Sequence, residues 1–235
     1  MKIVALFVLL LQNPENQGPP VLNVTGSAQI RVAPDEATVR LGIVRQASTA
    51  QVAQEQTNAA AQAILNAITQ AGIPKEKIQT SRLTLSPVYA PRSPETRDAP
   101  RIVAYHASNI VTVVLENLAL VGPTIDAGLK AGANQLEGVS FGLRNDLPAR
   151  QQALRQAVTE AQRKAEAMAE ALRVRLGPVV EISEGGVSVM PKGDFGGMMM
   201  ERAATMAMPP PTPVSPGELE VHANVSIRYR ILPAQ

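Results

Sequence analysis

The stretch around residue 140 carries the spacing of a serine-hydrolase nucleophile. Residues 138–142 read G-V-S-F-G, which matches the G-x-S-x-G motif, and Asp194 and His222 follow in the order of such a triad. That motif places its serine at a sharp turn between a strand and a helix. Ser140 instead lies inside an alternating apolar run, and the next helical pattern begins only after Asn145-Asp146. We therefore expect Ser140 to lie within a strand, with serine hydrolysis as an alternative function.

Two further motifs carry little chemistry. Asp194-Phe195-Gly196 matches the magnesium-binding triplet of protein kinases, but the glycine-rich phosphate loop and the H-R-D run of those enzymes are missing. The two histidines, His106 and His222, each lie in an expected strand without a second ligand at metal-binding spacing. We therefore predict no catalytic, cofactor-binding or metal-binding residues, and no enzymatic activity.

Methionines are concentrated before the last strand. They are Met190, Met198, Met199, Met200, Met206 and Met208. Thioethers suit Cu(I), so copper binding by this loop is a second alternative, although the loop has no His or Cys. Methionine also packs adaptably against partner surfaces. We predict that the loop contacts another copy of the chain; contact with a membrane surface and a mere linker are the other interpretations.

Composition excludes several classes of protein. The chain has 235 residues, of which 45% are hydrophobic, too many for disorder and too scattered for a polytopic membrane protein. The absence of cysteine excludes disulfides, thiolate zinc sites and a cysteine nucleophile. Aromatic residues make up 3% and the net charge is +2, so we expect no nucleic-acid partner.

The first twenty residues indicate export. Met1-Lys2 precedes an unbroken apolar run from Ile3 to Leu11, which has the length of a secretory hydrophobic region and is too short to span a membrane. A signal-peptide cleavage site requires small residues, and residues 12–17 contain none. We predict that residues 1–20 are an export signal or an N-terminal tether, with a buried opening strand as the alternative. The expected location is periplasmic or otherwise exported, with membrane association if the tether is retained.

Alternating apolar residues predict seven strands. These are 21–32, 37–45, 78–89, 102–115, 136–143, a strand from 179 to 182, and 219–231. The short Pro34-Asp35 connection predicts that the first two strands form an antiparallel hairpin. Residues 185–216 are rich in Gly, Met and Pro and have no period, so they are predicted to form a long loop.

Helical periodicity predicts three helices. Ser48 and Gln51 form a capping-box pattern at the start of the first, which ends at Gly72. The second runs from Pro123 to Gly132. The third, the longest, has an apolar stripe that comprises Leu154, Val158, Ala161, Ala165, Met168, Leu172 and Leu176. This stripe is short for a coiled coil, so we predict that the helix packs on a sheet.

The order of these elements predicts the fold class. It is ββα-ββα-βα-β-loop-β, with hairpins in place of strict strand–helix alternation. We therefore expect an α+β fold in which mainly antiparallel strands form hairpins and three helices pack on the sheet.

An ordered set of short motifs resembles the SIMPL-domain family of bacterial envelope proteins, which includes the periplasmic immunogenic protein group. The matching text comprises 24–26 (V-T-G), 32–37 (V-A-P-D-E-A), 72–74 (G-I-P), 78–81 (I-Q-T-S), 86–89 (S-P-V-Y), 105–109 (Y-H-A-S-N), 125–128 (I-D-A-G), 131–134 (A-G-A-N), 138–143 and 216–221 (P-G-E-L-E-V). The Met/Pro-rich loop at 185–216 is also typical of that family. The resemblance implies one SIMPL-like domain over residues 21–232.

The resemblance also implies a function class. Its members are mostly exported, some form large ring-like oligomers, and some are linked with tolerance of oxidative stress. The family has no assigned catalytic residues that could be carried over. We therefore predict a non-catalytic, exported cell-envelope protein that self-assembles into a homo-oligomer with a scaffold or binding role, with strand edges and the Met/Pro-rich loop at the contacts.

Overall fold

The computed structural model describes residues 19–91, 100–192 and 212–233. Its elements follow the predicted order, which confirms the α+β class. They are β1 (Val21–Val32), β2 (Glu36–Ala47), α1 (Ala50–Gln70), β3 (Ile78–Tyr89), β4 (Ile102–Leu115), α2 (Val121–Lys130), β5 (Gln135–Gly142), α3 (Leu147–Ala171), β6 (Arg175–Pro191) and β7 (Leu219–Leu232).

The strands form two antiparallel sheets rather than one. The order is β1-β7-β6 in the three-stranded sheet and β3-β4-β2-β5 in the four-stranded sheet. The chain divides accordingly into two compact units. We call them the three-stranded unit (described residues 19–30, 147–189 and 221–233) and the four-stranded unit (described residues 31–91, 100–146, 190–192 and 212–220).

The core of the four-stranded unit lies between its sheet and α1. Val39, Leu41 and Ile43 alternate along β2 and are fully buried, as the apolar period of this strand predicts. Ile64 and Ile68 of α1 belong to the same core cluster. β2 lies in the middle of the sheet, where Val39 pairs with Val113 of β4 on one side and Val139 of β5 on the other.

The start of α1 differs from the prediction. Thr49 is the N-cap, and its Oγ1 accepts a hydrogen bond from the backbone N–H of Val52 at 3.3 Å. The capping box predicted from Ser48 is therefore wrong. The helix begins at Ala50, which places Ser48 one residue before the cap and leaves the capping role to Thr49. At the other end, Gly72 has φ 90°, a conformation that favours glycine.

The hairpin predicted for the first two strands is also wrong. β1 pairs with β7, whereas β2 pairs with β4 and β5. Alternation identifies the buried face of a strand but not its partner, and the short connection carries the chain from one sheet into the other. Within this connection, Asp35 N–H donates to Gly142 O at 3.0 Å, and Arg144 N–H donates to Asp35 Oδ1 at 2.8 Å. β3 and β4, both predicted as strands, pair antiparallel with each other.

In the three-stranded unit, α3 packs on the sheet as predicted, but only partly through the expected residues. Its buried stripe consists of Ala149, Ala153, Ala157, Ala161, Ala165 and Ala169. β1 approaches this stripe at Gly26, where a Cβ atom would lie 2.7 Å from the backbone nitrogen of Ala161. The predicted stripe is partly wrong, because Val158, Met168 and Leu172 are exposed.

The boundary of the predicted long loop is wrong at its N-terminal end. β6 continues to Pro191, so residues 185–191 form a strand and not a loop. The two glycines that suggested a break are accommodated within it: Gly185 lies against Asn224 of β7, and Gly186 has φ 99°. Residues 193–211 of the predicted loop lie outside the described part of the chain.

Candidate functional site

The components of the hydrolase motif lie on different elements of the fold. Ser140 lies inside β5, opposite Thr38 of β2, which confirms its predicted place in a strand. His222 lies on β7 in the three-stranded unit, and Asp194 lies outside the described residues. Within residues 19–91, 100–192 and 212–233, no histidine or carboxylate hydrogen-bonds the Ser140 hydroxyl.

The other candidate ligands are dispersed. His106 is half-buried in β4, where it pairs with Gln46 of β2 and Ser86 of β3. In the described part of the chain, no three His, Cys, Asp or Glu residues are grouped so that they could hold a metal ion. Met190 is an exposed residue of β6. Several other candidates lie outside the described residues: Met198, Met199, Met200, Met206, Met208 and the 194–196 triplet.

The edges of the two sheets are the remaining candidates for a functional surface. β1 and β6 border the three-stranded sheet, and β3 and β5 border the four-stranded sheet. An edge strand presents backbone N–H and C=O groups with which a strand of another chain can pair. The four edges differ in how these groups are covered.

The middle of the outer edge of β1, at Thr25 and Ser27, is covered by side chains of α3. Ile231 N–H of β7 donates to Pro20 O at 2.9 Å. The backbone N–H and C=O groups of even-numbered residues of β1 therefore point toward β7, and those of odd-numbered residues point outward from the sheet. The outward N–H of Ser27 donates to the Glu160 carboxylate. The outward C=O of Thr25 accepts a hydrogen bond from Lys164 Nζ at 3.0 Å. Glu160 and Lys164 are also paired with each other at 2.8 Å.

The Glu160 carboxylate at this edge of β1 remains negatively charged at neutral pH. The hydrogen bond from Lys164, followed by the one from the Ser27 backbone, lowers the pKa of the Glu160 carboxyl below its ordinary value of 4.5. An ionised carboxylate can only accept hydrogen bonds, which suits the outward N–H of β1. A strand from another chain would have to displace both side chains to pair here.

The two edges of the four-stranded sheet are interrupted. β5 has eight residues and a register shift at Gly138, which has φ 150°. β3 has a register shift at Ser81 and contains Pro87, which has no N–H to donate. Bulges, prolines and short length are the usual means by which edges avoid pairing.

β6 is the exception, because it presents a long open edge. It has 17 residues. Arg150 donates to Val187 O at 2.6 Å, but over residues 179–186 no side chain of the described residues hydrogen-bonds the backbone of this strand. The same stretch exposes Val179 (46%), Val180 (50%) and Ile182 (61%). Within the part of the chain that the structure describes, β6 therefore combines backbone groups that no side chain covers with exposed apolar side chains.

The exposed residues of β6 lie on both faces of the sheet. Glu181 pairs with Arg228 of β7 at 2.8 Å on the polar face of the sheet. Val180 and Ile182 therefore point to the other face, on the side of α3, yet they stay exposed. The sequence showed only a short strand from Val179. Residues 179–182 read V-V-E-I, in which apolar and polar residues do not alternate regularly. This irregular pattern was the sequence signal that neither face of β6 is fully covered.

Within the described residues, no helix has the length and apolarity needed to span a membrane.

Proteins of several bacteria are similar to this chain in sequence. The chain is 33% identical over 239 residues to a 26 kDa periplasmic immunogenic protein of Brucella melitensis, covering 97% of this chain and 93% of the relative. The Brucella abortus protein of that name matches equally well. An uncharacterized protein, YggE, of Escherichia coli K12 is 26% identical over 188 residues, which cover 77% of this chain and 74% of the relative.

A family model gives the assignment. The SIMPL model, described as a protein of unknown function (DUF541), matches residues 22–229, nearly the whole region over which the motifs showed the resemblance. The chain therefore belongs to the SIMPL family.

Proposed function

We propose that this protein is a non-catalytic, exported cell-envelope protein that assembles with copies of itself through the open edge of β6. The observation that carries the proposal is the contrast between the two edges of one sheet. Glu160 and Lys164 cover the middle of β1, whereas residues 179–186 of β6 are uncovered among the described residues.

Self-association through β6 uses ordinary strand pairing. Two β6 strands that pair antiparallel about a two-fold axis continue the sheet from three strands to six. The main-chain hydrogen bonds supply the pairing, and Val180 and Ile182 of both copies are brought together on the α3 side of the joined sheet. A soluble monomer with this edge exposed would be prone to aggregation, so a specific partner strand suits it better.

Export is supported by two independent facts. The segment from Met1 to Leu11 has the charge and apolar run of a secretory signal or tether. The relatives that cover nearly the whole chain are named periplasmic proteins. In this proposal the assembly is a scaffold or binding platform in the cell envelope. It contributes to tolerance of oxidative stress, the role that the family resemblance implies for some members.

The absence of catalysis is supported by the placement of Ser140. A nucleophilic serine needs a base within hydrogen-bond reach. Ser140 has no histidine or carboxylate at that distance in the described part of the chain, and it lies mid-strand rather than at a turn. Ser140→Ala is therefore expected to change no hydrolytic activity; loss of a saturable activity in a folded variant would contradict this.

The decisive experiment introduces charge at the open edge. The double variant Val180→Lys/Ile182→Lys is measured by light scattering coupled to size-exclusion chromatography over a dilution series. We expect an oligomer for the wild type and a monomer for the variant, since two lysines from each copy would meet in the joined sheet.

Deletion of Met198 to Met208 tests separately the predicted contact role of the Met/Pro-rich loop.

The matched control is Leu83→Lys/Leu85→Lys on β3. These side chains are 54% and 45% exposed on another edge strand, but β3 is interrupted by a bulge and a proline. The control is expected to keep the wild-type mass. A monomeric wild type at high concentration, or an oligomer that survives the β6 substitutions, would refute the proposal.

A further inference from the structure

A groove of about 420 Å³ lies between β1 and α3 in the three-stranded unit. Its polar lining comprises Ser27, Arg155, Gln156, Thr159, Glu160 and Arg163. One wall is the closed edge of β1 and the other is the exposed surface of α3 next to the alanine stripe. The contact at Gly26 and the bond between Ser27 and Glu160 hold the two walls together.

The groove contains two positive charges without partners. Neither Arg155 nor Arg163 has a carboxylate within 4.0 Å among the described residues. The negative charge of Glu160 is balanced by Lys164 at 2.8 Å. Guanidinium groups are cationic at any physiological pH. The groove therefore has a net charge of two positive units available to a ligand.

The spacing of the arginines places both of them on the part of α3 that lines the groove. Arg155, Thr159 and Arg163 follow at intervals of four residues, so they form one row along α3. The two arginines begin about 12 Å apart along the helix axis, with Thr159 midway. All three residues line the same groove, so both long, flexible arginine side chains can reach one ligand bound in it. Two guanidinium forks offer paired N–H donors, which match the oxygens of a phosphate group.

We infer that this groove binds the phosphate group of a ligand, held above Thr159 between Arg155 and Arg163. The volume is within the range of small-molecule sites and exceeds what a free phosphate ion fills. The ligand is thus a phosphorylated molecule whose remainder lies along Gln156 and Ser27. A lipid headgroup and a soluble phosphorylated molecule share this chemistry.

The test uses the full-length protein and two probes. Isothermal titration calorimetry measures binding of inorganic phosphate, and co-sedimentation measures binding to vesicles of phosphatidylglycerol, with phosphatidylcholine vesicles as the neutral comparison. The variant is Arg155→Gln/Arg163→Gln. The control, Lys130→Gln/Arg173→Gln, removes two exposed charges that do not line the groove. Circular dichroism confirms that each variant is folded.

We expect the affinity for inorganic phosphate to fall at least about tenfold in the groove variant and to stay unchanged in the control, because a charged hydrogen bond contributes about a factor of ten or more. Loss of phosphatidylglycerol binding in the same variant, with competition by phosphate, identifies a lipid headgroup. Phosphate binding without vesicle binding identifies a soluble ligand. The inference is overturned if the wild type gives no phosphate binding, or if wild type and groove variant bind equally.

This site is independent of self-association. Val180→Lys/Ile182→Lys alters the opposite edge strand of the sheet and leaves all the groove residues in place. That variant is therefore expected to bind phosphate like the wild type even where it is monomeric.

Discussion

The carboxylate of Glu160 accepts a hydrogen bond from the backbone N–H of Ser27, so a helix side chain occupies the place that a neighbouring strand would take. Lys164 does the same for Thr25 O at 3.0 Å. One outward donor and one outward acceptor of β1 are thus satisfied within the chain. Protection of an edge by charged side chains is a known way to prevent unwanted pairing, and in the proposed assembly it leaves β6 as the edge at which copies pair.

The first prediction concerns removal of this protection. Glu160→Ala/Lys164→Ala frees the outward N–H of Ser27 and the outward C=O of Thr25. We expect the variant to form larger assemblies than the wild type, because the sheet then has two open edges instead of one. Light scattering over a concentration series measures the mass, and thioflavin fluorescence detects extended sheet formation.

Gln162→Ala/Glu166→Ala is the matched control for this variant. These residues form a hydrogen-bonded pair with the same spacing on α3, at 2.9 Å, but among the described residues neither hydrogen-bonds β1. Their removal is expected to leave the mass distribution unchanged. If the two double variants associate to the same extent, the protective role of Glu160 and Lys164 is refuted.

The second prediction concerns the close approach of β1 to α3. Gly26→Ala adds a Cβ that would lie 2.7 Å from Ala161 N and closer still to Ala157 O, and backbone atoms cannot move aside as a side chain would. We expect a loss of about 1–3 kcal/mol in the free energy of unfolding, the usual cost of overpacking. Urea unfolding followed by circular dichroism measures it.

Gly142→Ala is the control for this substitution. A Cβ at Gly142 meets nothing within 4 Å, and its φ is not in the left-handed region. This variant is expected to unfold within about 0.5 kcal/mol of the wild type. Equal stability of Gly26→Ala and Gly142→Ala would show that the helix shifts freely over the strand.

Much of the fold follows from local pattern. The bounds of β1 agree with the predicted 21–32, and Val39, Leu41 and Ile43 are buried as their alternation requires. Such patterns report which face of a strand meets the core. They do not report which strand lies alongside, and for that reason the pairing of β1 with β7 could not be predicted.

The candidate surfaces were less accessible to sequence analysis. The open edge of β6 was hidden because Gly185 and Gly186 suggested a loop, although the strand continues through them. The closed edge of β1 depends on Glu160 and Ser27, which are 133 residues apart in sequence. No local period connects residues at that separation. Only the general expectation of contacts at strand edges could be made in advance, and it remains a prediction.

The third prediction concerns pH. Glu116 accepts hydrogen bonds from Lys77 at 2.6 Å and Arg144 at 2.9 Å, and Lys77 first, then Arg144, lowers the pKa of this carboxyl below 4.5. A lowered folded-state pKa means that the ionised group stabilises the fold fully above pH 4.5 and loses this contribution as pH falls through the lowered pKa. The stability difference between wild type and Glu116→Gln should therefore be largest near neutrality and shrink below pH 4.5.

Urea midpoints measured from pH 7 to pH 3 test this dependence. Glu76→Gln serves as the control, since Glu76 is an exposed carboxylate on the neighbouring turn with no ion pair among the described residues. Its difference from the wild type is expected to vary less with pH. A difference for Glu116→Gln that grows on acidification would contradict the assigned ion pairs.

The fourth prediction separates the two possible packing faces of α3. Ala161 is fully buried against the sheet, whereas Met168 is 44% exposed on the same helix. Ala161→Leu places a larger side chain at the contact with Gly26 and is expected to lower the free energy of unfolding by about 1–3 kcal/mol. Met168→Ala is expected to change it by no more than about 0.5 kcal/mol, since alanine also favours a helix.

The order of these two effects is the informative result. The apolar stripe predicted from the sequence contains both residues and would give the larger loss to Met168→Ala, because removal of a buried methionine side chain costs about 2–5 kcal/mol. The alanine stripe gives the larger loss to Ala161→Leu. Urea unfolding of the two variants at equal protein concentration therefore distinguishes a helix that packs through small residues from one that packs through large ones. A larger loss for Met168→Ala would place this face of α3 in a buried contact that the isolated chain does not show.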